Sequence, residues 1–132
     1  MATKEQKLLE EARKVSKNAY TPYSNFKVGA AMLLKDGRVI TGANVENCAY
    51  GPTNCAERSA LFYAFSQGYR KDDIEMMAVI TDTDKPASPC GVCRQVMSEL
   101  LTPKCPLILG TLSNDQVMIS DIKTLLPYSF TL

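Results

Sequence analysis

The chain has no histidine at any of its 132 positions. That absence excludes Ser-His-Asp and Cys-His nucleophilic machinery. It also removes the commonest zinc ligand, so any metal must be held by sulfur or oxygen, and any proton shuttle must be a carboxylate, Lys, Tyr or Cys. Charge of one sign is equally lacking. Lys and Arg number 15 and Asp and Glu 14, a net charge of +1 with no block of like charges. A nucleic-acid groove or a membrane-surface patch needs clustered cations, so neither partner is expected. No apolar run approaches the length of a membrane helix. The opening Met1–Lys7 is polar, with no apolar run after it, and does not read as a signal peptide. The expected compartment is the cytoplasm, where disulfides are rare.

What is present is an ordinary globular composition, 45% apolar and 22% charged. The length suits a single domain over residues 1–132 with one sizeable core. The cysteines are Cys48, Cys55, Cys90, Cys93 and Cys105. An odd number in such a chain points to metal or thiol chemistry rather than a bridge framework.

Periodicity predicts a helix over Lys4–Tyr20, with Thr3 and Gln6 in capping-box spacing and Leu8, Ala12, Val15 and Ala19 as its apolar stripe. Alternation over Phe26–Leu34 predicts a strand with Phe26, Val28, Ala30, Met32 and Leu34 on one face. Asp36-Gly37 signals a two-residue hairpin into a returning strand, Val39–Val45. A turn-rich loop then feeds a helix from Cys55 to about Gly68. Strand Glu75–Asp82, helix Gly91–Leu101 and strand Pro106–Leu112 follow, then a short strand Gln116–Ser120 and a last helix Ile122–Leu126 capped by Asp121. Strands alternating with helices imply parallel crossovers. The expected fold is α/β: a three-layer α/β/α sandwich around a mixed five-stranded sheet.

This reading sets Cys55 at the start of one helix, and Cys90 and Cys93 at the start of another. The Cys90–Cys93 spacing lets two sulfurs bind one metal. Helix N-termini carry partial positive charge, which favours the thiolate that binds metal. Three protein ligands leave a fourth position open, where water is acidified and can attack as hydroxide. Three thiolates on Zn²⁺ give a net charge of about −1, which weakens its Lewis acidity. Arg58, one turn into the helix, is the candidate to hydrogen-bond the sulfurs, although a lone Arg also serves as a surface ion pair. Glu57, two residues after Cys55, can carry a proton between water and substrate. An acidic residue in a first helical turn is also favoured for the helix alone.

Cys-x-Glu followed by Pro-Cys-x-x-Cys matches the three-Cys variant of the zinc deaminase signature. Five blocks narrow the match: Phe26–Ala31, Asn44–Asn47, Cys55–Arg58, Ser88–Gln95 and Leu125–Phe130. Together they resemble the cytidine deaminase family in its short-chain, homotetrameric form, over nearly the whole chain. The resemblance implies one zinc per subunit on Cys55, Cys90 and Cys93. It implies hydrolysis of cytidine and 2′-deoxycytidine to uridine and 2′-deoxyuridine with release of ammonia, a pyrimidine-salvage reaction. Water activated on zinc would attack C4 of the ring, with Glu57 protonating N3 and assisting departure of the amine. Asn44 and Glu46 would hold the ribose hydroxyls, and Phe26 and the Ala56 backbone would contact the base. Phe130 and the loop around Ala49 and Tyr50 would reach across subunit interfaces, so that active sites are shared. Read from pattern alone, Phe26 is equally a core residue, Asn44 and Glu46 are turn or surface residues, and Phe130 is a packed tail.

Rival functions remain open at this point. Cys90-Gly91-Val92-Cys93 could serve thiol–disulfide exchange, which would leave Cys55 and Glu57 without a role. Cys48 or Cys105 could complete a structural four-Cys site, although only one Cys-x-x-Cys unit exists. Within deaminases, an antibiotic-modifying enzyme or a nucleic-acid editor is the nearer alternative. The neutral charge disfavours a polynucleotide.

Overall fold

The computed structural model describes residues 2–132. Helix α1 spans Lys4–Ser16 and begins with a complete capping box. Thr3 Oγ1 accepts from Gln6 N at 3.2 Å, and Gln6 Oε1 accepts from Thr3 N at 2.9 Å. Two otherwise unpaired helix-start donors are satisfied, an arrangement worth about 1 kcal/mol. The helix ends four residues before the expected Tyr20. The cause is tertiary: Tyr20 N donates to Asn44 O at 2.9 Å, and Tyr20 bridges Val45 in parallel. Ser16 then takes the buried place expected of Val15 and Ala19, beside Leu8, Leu9 and Ala12.

Strand β1 (Val28–Leu34) and strand β2 (Val39–Ala43) form the expected hairpin. Its loop has three residues rather than two: Leu34 N donates to Arg38 O, and Gly37 N to Leu34 O, both at 2.9 Å. Gly37 takes φ +93°, the left-handed position that closes such a loop. Strand β1 starts at Val28 and not Phe26, because the Asn44 side chain replaces the ladder there. Its Oδ1 accepts from Val28 N at 2.9 Å, and its Nδ2 donates to Phe26 O at 2.7 Å. Strand β2 likewise stops at Ala43, while Val45 bridges Tyr20 and Asn54 instead.

Helix α2 covers Ala56–Ser66, and Gly68 at φ +96° ends that segment. A short 3₁₀ turn, Lys71–Asp73, leads into strand β3, Ile74–Thr81. Helix α3 (Gly91–Leu100), strands β4 (Leu107–Thr111) and β5 (Val117–Ser120) and helix α4 (Ile122–Leu125) follow. Asp121 caps α4 as expected, accepting from Thr124 N at 2.8 Å.

The sheet order is β2-β1-β3-β4-β5. Strand β1 is antiparallel to both neighbours, so β2 and β3 run the same way, and β3 pairs with β4 in parallel. The crossovers β2–α2–β3 and β3–α3–β4 are therefore both parallel. Both helices pack on one face, with Ala60, Leu61 and Met97 against Ala30, Met32, Val79 and Leu109. Helix α1 packs on the other, with Leu8, Leu9 and Ala12 against Ala31, Ala78, Ile80 and Ile108. This is the expected mixed five-stranded, three-layer α/β/α sandwich. Burying Leu8 and Leu9 alone is worth roughly 1.5–3 kcal/mol each. Among the described residues, no helix is long and apolar enough to cross a membrane.

The topology also positions the site. Helices α2 and α3 each start where a parallel strand ends, so their N-termini lie at the same, carboxyl end of the sheet. That is where open α/β sheets place ligands.

Candidate metal centre

Cys55 is the N-cap of α2 and Cys90 the N-cap of α3, with Cys93 one turn further on. Their three Sγ atoms lie within 4.8 Å of one another. Cys55 Sγ is 3.9 Å from Cys90 Sγ, and Cys90 Sγ accepts from Cys93 N at 3.4 Å. The Cys55 side chain makes no cap bond to its own helix; it is turned toward the α3 sulfurs instead. Cys93 is fully buried, Cys55 half-buried and Cys90 exposed. The cluster is thus anchored on its core side and open on the other, as a site with one exchangeable position requires.

The donor set fits a thiophilic, tetrahedral ion such as zinc. Arg58 Nη2 donates to Cys55 Sγ at 3.1 Å, so a cation touches the sulfur as anticipated. Its Nε is buried without a partner. A guanidinium held this way stabilises thiolate charge. The Cys55 thiol is brought down to about 5, chiefly by its hydrogen bond with Cys93 and then by Arg58, against the opposing effect of burial. Cys93 moves the other way, raised first by the same hydrogen bond and then by burial. Arg58 is itself raised by its bond to Cys55.

Glu57 is buried, 5% exposed, in the first turn of α2 between Ala56 and Arg58. Burial raises its carboxyl pKa, and the charge on Cys55 adds to the effect. A carboxyl so shifted can hold and release a proton nearer neutrality than a surface one.

Cys48 and Cys105 stand outside the cluster. Cys48 is exposed, with Sγ 3.7 Å from Asn47 Oδ1. Cys105 is buried against backbone, 3.8 Å from Glu75 O; burial raises its pKa to about 11. Among the described residues, Cys55, Cys90 and Cys93 form the one Cys/Asp/Glu group able to hold a metal. A four-Cys structural site thus has no fourth sulfur in reach.

The expected base and ribose contacts share one network. Glu46 Oε1 accepts from Tyr23 N at 3.0 Å and Ser24 N at 3.1 Å, and its Oε2 accepts from Ser24 Oγ. Those bonds, the Ser24 hydroxyl first, lower its pKa and keep it an anion. Ser24 Oγ in turn accepts from Phe26 N at 3.0 Å. Asn44 clamps the same segment from the other side. Phe26 is therefore presented on a braced loop, 39% exposed, rather than packed in a strand face. Ala56 is buried, whereas Ala49 is exposed. Tyr50 (95% exposed) and Phe130 (69%) are largely exposed on their own chain. Ser24 has no role in the sequence reading; its only signal is its place between Pro22 and Phe26 in the loop.

The residues 2–109 match the family model described as "Cytidine and deoxycytidylate deaminase zinc-binding region". A cytidine deaminase of Halalkalibacterium halodurans is 52% identical over 126 residues, covering 96% of this chain and 93% of the relative. One of Sporosarcina psychrophila is 45% identical over 126 residues, covering 96% and 90%. Among solved structures, a cytidine deaminase from Burkholderia pseudomallei superposes with a TM-score of 0.91 at 46% identity, covering 98% of this chain and 100% of that one.

Proposed function

Because the chain belongs to the cytidine and deoxycytidylate deaminase family, we propose that it hydrolyses cytidine and 2′-deoxycytidine to uridine and 2′-deoxyuridine, releasing ammonia, as an enzyme of pyrimidine salvage. The observation that carries this reading is a cluster of three sulfurs beside one buried carboxyl: Cys55, Cys90 and Cys93 with Glu57. The cofactor is zinc, one ion per chain, which the three sulfurs would hold. When bound, it supplies a Lewis acid that lowers the pKa of a water molecule.

The remaining chemistry falls to side chains. As water adds to C4, Glu57 takes its proton and delivers it to N3 of the pyrimidine; Glu57 then carries the proton of the new C4 hydroxyl to the amino group, which leaves as ammonia while the C4 carbonyl forms. Burial suits it to this shuttle, because a raised pKa makes the protonated form accessible near neutral pH. Arg58 holds the Cys55 thiolate and offsets the charge of three sulfurs. The Ala56 backbone and Phe26 orient the base. Asn44 and Glu46 receive the ribose hydroxyls with the lone pairs and N–H that the Tyr23–Val28 loop leaves free. This pair favours a nucleoside over a free base.

A single catalytic domain over residues 1–132 working in the cytoplasm is the simplest setting. The exposed Tyr50 and Phe130 support a homotetramer in which the Ala49–Tyr50 loop and the tail complete a neighbour's pocket. The test is an ultraviolet assay of cytidine loss with wild type and Glu57→Ala. Wild type should turn over and the variant should keep zinc and fold but lose activity. Retained turnover would remove Glu57 as proton carrier.

A further inference from the structure

Between Thr83 and Pro89 the chain makes no backbone–backbone hydrogen bond among the described residues. This segment delivers Cys90 to the metal centre, so side chains must fix it. Its far half is tied to the loop after β4: Ser113 Oγ donates to Thr83 O at 3.2 Å, and Asn114 Nδ2 to Asp84 O at 2.8 Å. The two residues before Cys90 depend on one side chain. Arg94 Nε donates to Pro89 O at 2.8 Å, and Arg94 Nη2 to Ser88 Oγ at 2.5 Å. Its third nitrogen, Nη1, donates to Leu125 O at 2.8 Å, at the end of α4.

The chemistry of these acceptors is informative. Arg94 makes no ion pair among the described residues. Its charge is spent on two carbonyls and a hydroxyl from two separate segments. A planar fork can hold three such acceptors in fixed directions, which an ammonium cannot. Arg94 also follows Cys93 directly, so its own backbone moves with a sulfur of the cluster.

We infer that Arg94 is a positioning residue of the metal centre, locking the Ser88–Pro89 approach to Cys90 onto α3 and onto the α4 end from which the Tyr128–Phe130 tail departs. This rests on the zinc reading above. It makes the metal site and the tail mechanically continuous. Loosening one end of the fork then loosens the presentation of Cys90.

The experiment uses the full-length zinc enzyme and three variants: Arg94→Lys, Arg94→Gln and Ser88→Ala. Zinc release to a chromogenic chelator is timed, and the cobalt-substituted proteins are compared by their thiolate-to-metal absorption bands. Both Arg94 variants should release metal about 10- to 100-fold faster, the range found for removal of groups that orient metal ligands. Their cobalt bands should shift, with kcat falling about tenfold more than KM rises. Arg94→Lys should not rescue, because charge without the fork leaves two acceptors unpaired. Ser88→Ala, an exposed change that loses one bond, should speed release roughly threefold without altering the fold. Wild-type release rates and cobalt spectra in folded variants, or full rescue by Lys, would overturn the inference. If the Arg94 variants do not fold, an unchanged Ser88→Ala release rate overturns it. A wild-type protein that binds no zinc would instead overturn the functional reading itself.

Discussion

On one face of the sheet, α1 packs Leu8, Leu9 and Ala12 against Ala31, Ala78, Ile80 and Ile108. On the other, α2 and α3 pack Ala60, Leu61 and Met97 against Ala30, Met32, Val79 and Leu109. The strands contribute alternate residues to the two layers, and each layer approaches the sheet closely over a glycine. A Cβ on Gly29 would lie 2.0 Å from Ala12 O of α1; one on Gly42 would lie 2.6 Å from Ala60 N and 2.7 Å from Ala56 O of α2. The layers differ at their helix starts. Helix α1 satisfies its own N-terminus with Thr3 and Gln6. Helix α2 has no side-chain cap bond, and its N-cap sulfur faces that of α3. Helix α3 does accept a cap bond, from Cys93 N to the Cys90 sulfur, yet that sulfur still faces Cys55. Two helices that turn their cap residues toward each other leave donors, dipoles and thiols converging on one point.

That contrast can be broken at several places. The largest effect should come from Glu57→Gln, which lowers kcat by about 10²–10⁴, the usual span for a lost general acid–base, with zinc content and far-ultraviolet dichroism unchanged. Arg58→Ala should weaken zinc retention about 10- to 100-fold in a chelator competition, since Cys55 loses its cationic partner.

The two glycines give the sharpest comparison. Gly29→Ala and Gly42→Ala should each cost about 1–3 kcal/mol or more in urea unfolding, because backbone must move to admit the methyl group. Only Gly42→Ala should also depress kcat, because it pushes on Ala56, next to Glu57. An equal loss of kcat in a folded Gly29→Ala enzyme would mean that the two layers are not independent.

A smaller effect concerns pH. Burial holds the Glu57 carboxyl above its usual 4.5. A proton held more tightly in the folded state contributes stability below the unfolded pKa, which is lost as pH rises through the folded one. Glu57→Gln removes this titration. In the zinc-free proteins its melting temperature should therefore gain on wild type as pH rises above the usual carboxylate range. The smallest effect is a null one: Cys48→Ala should leave zinc stoichiometry unchanged, since Cys48 lies outside the cluster.

Much of this was legible from residue pattern. Alternation located β1, Asp121 announced α4, and the absence of histidine required sulfur or oxygen ligands. Cys55, Cys90, Cys93 and Arg58 meet as spacing and helix starts suggested. The misses share a physical cause, which is long-range hydrogen bonding that local pattern cannot contain. Helix α1 stops at Ser16 because Tyr20 is drawn to Asn44 and Val45. Phe26 leaves its strand because an amide 18 residues away takes its carbonyl. Ser24 and Arg94 carry no periodic or compositional signal: Ser24 links the Glu46 carboxylate to the Phe26 amide, and Arg94 holds the Pro89 and Leu125 carbonyls.

Two helix N-termini bring three sulfurs together around a position that suits one zinc and leaves one side open. X-ray absorption at the zinc edge of the purified enzyme tests it most directly. One zinc per chain is expected, with three sulfurs at about 2.3 Å and one light atom. Four sulfurs, or no bound zinc, would contradict it.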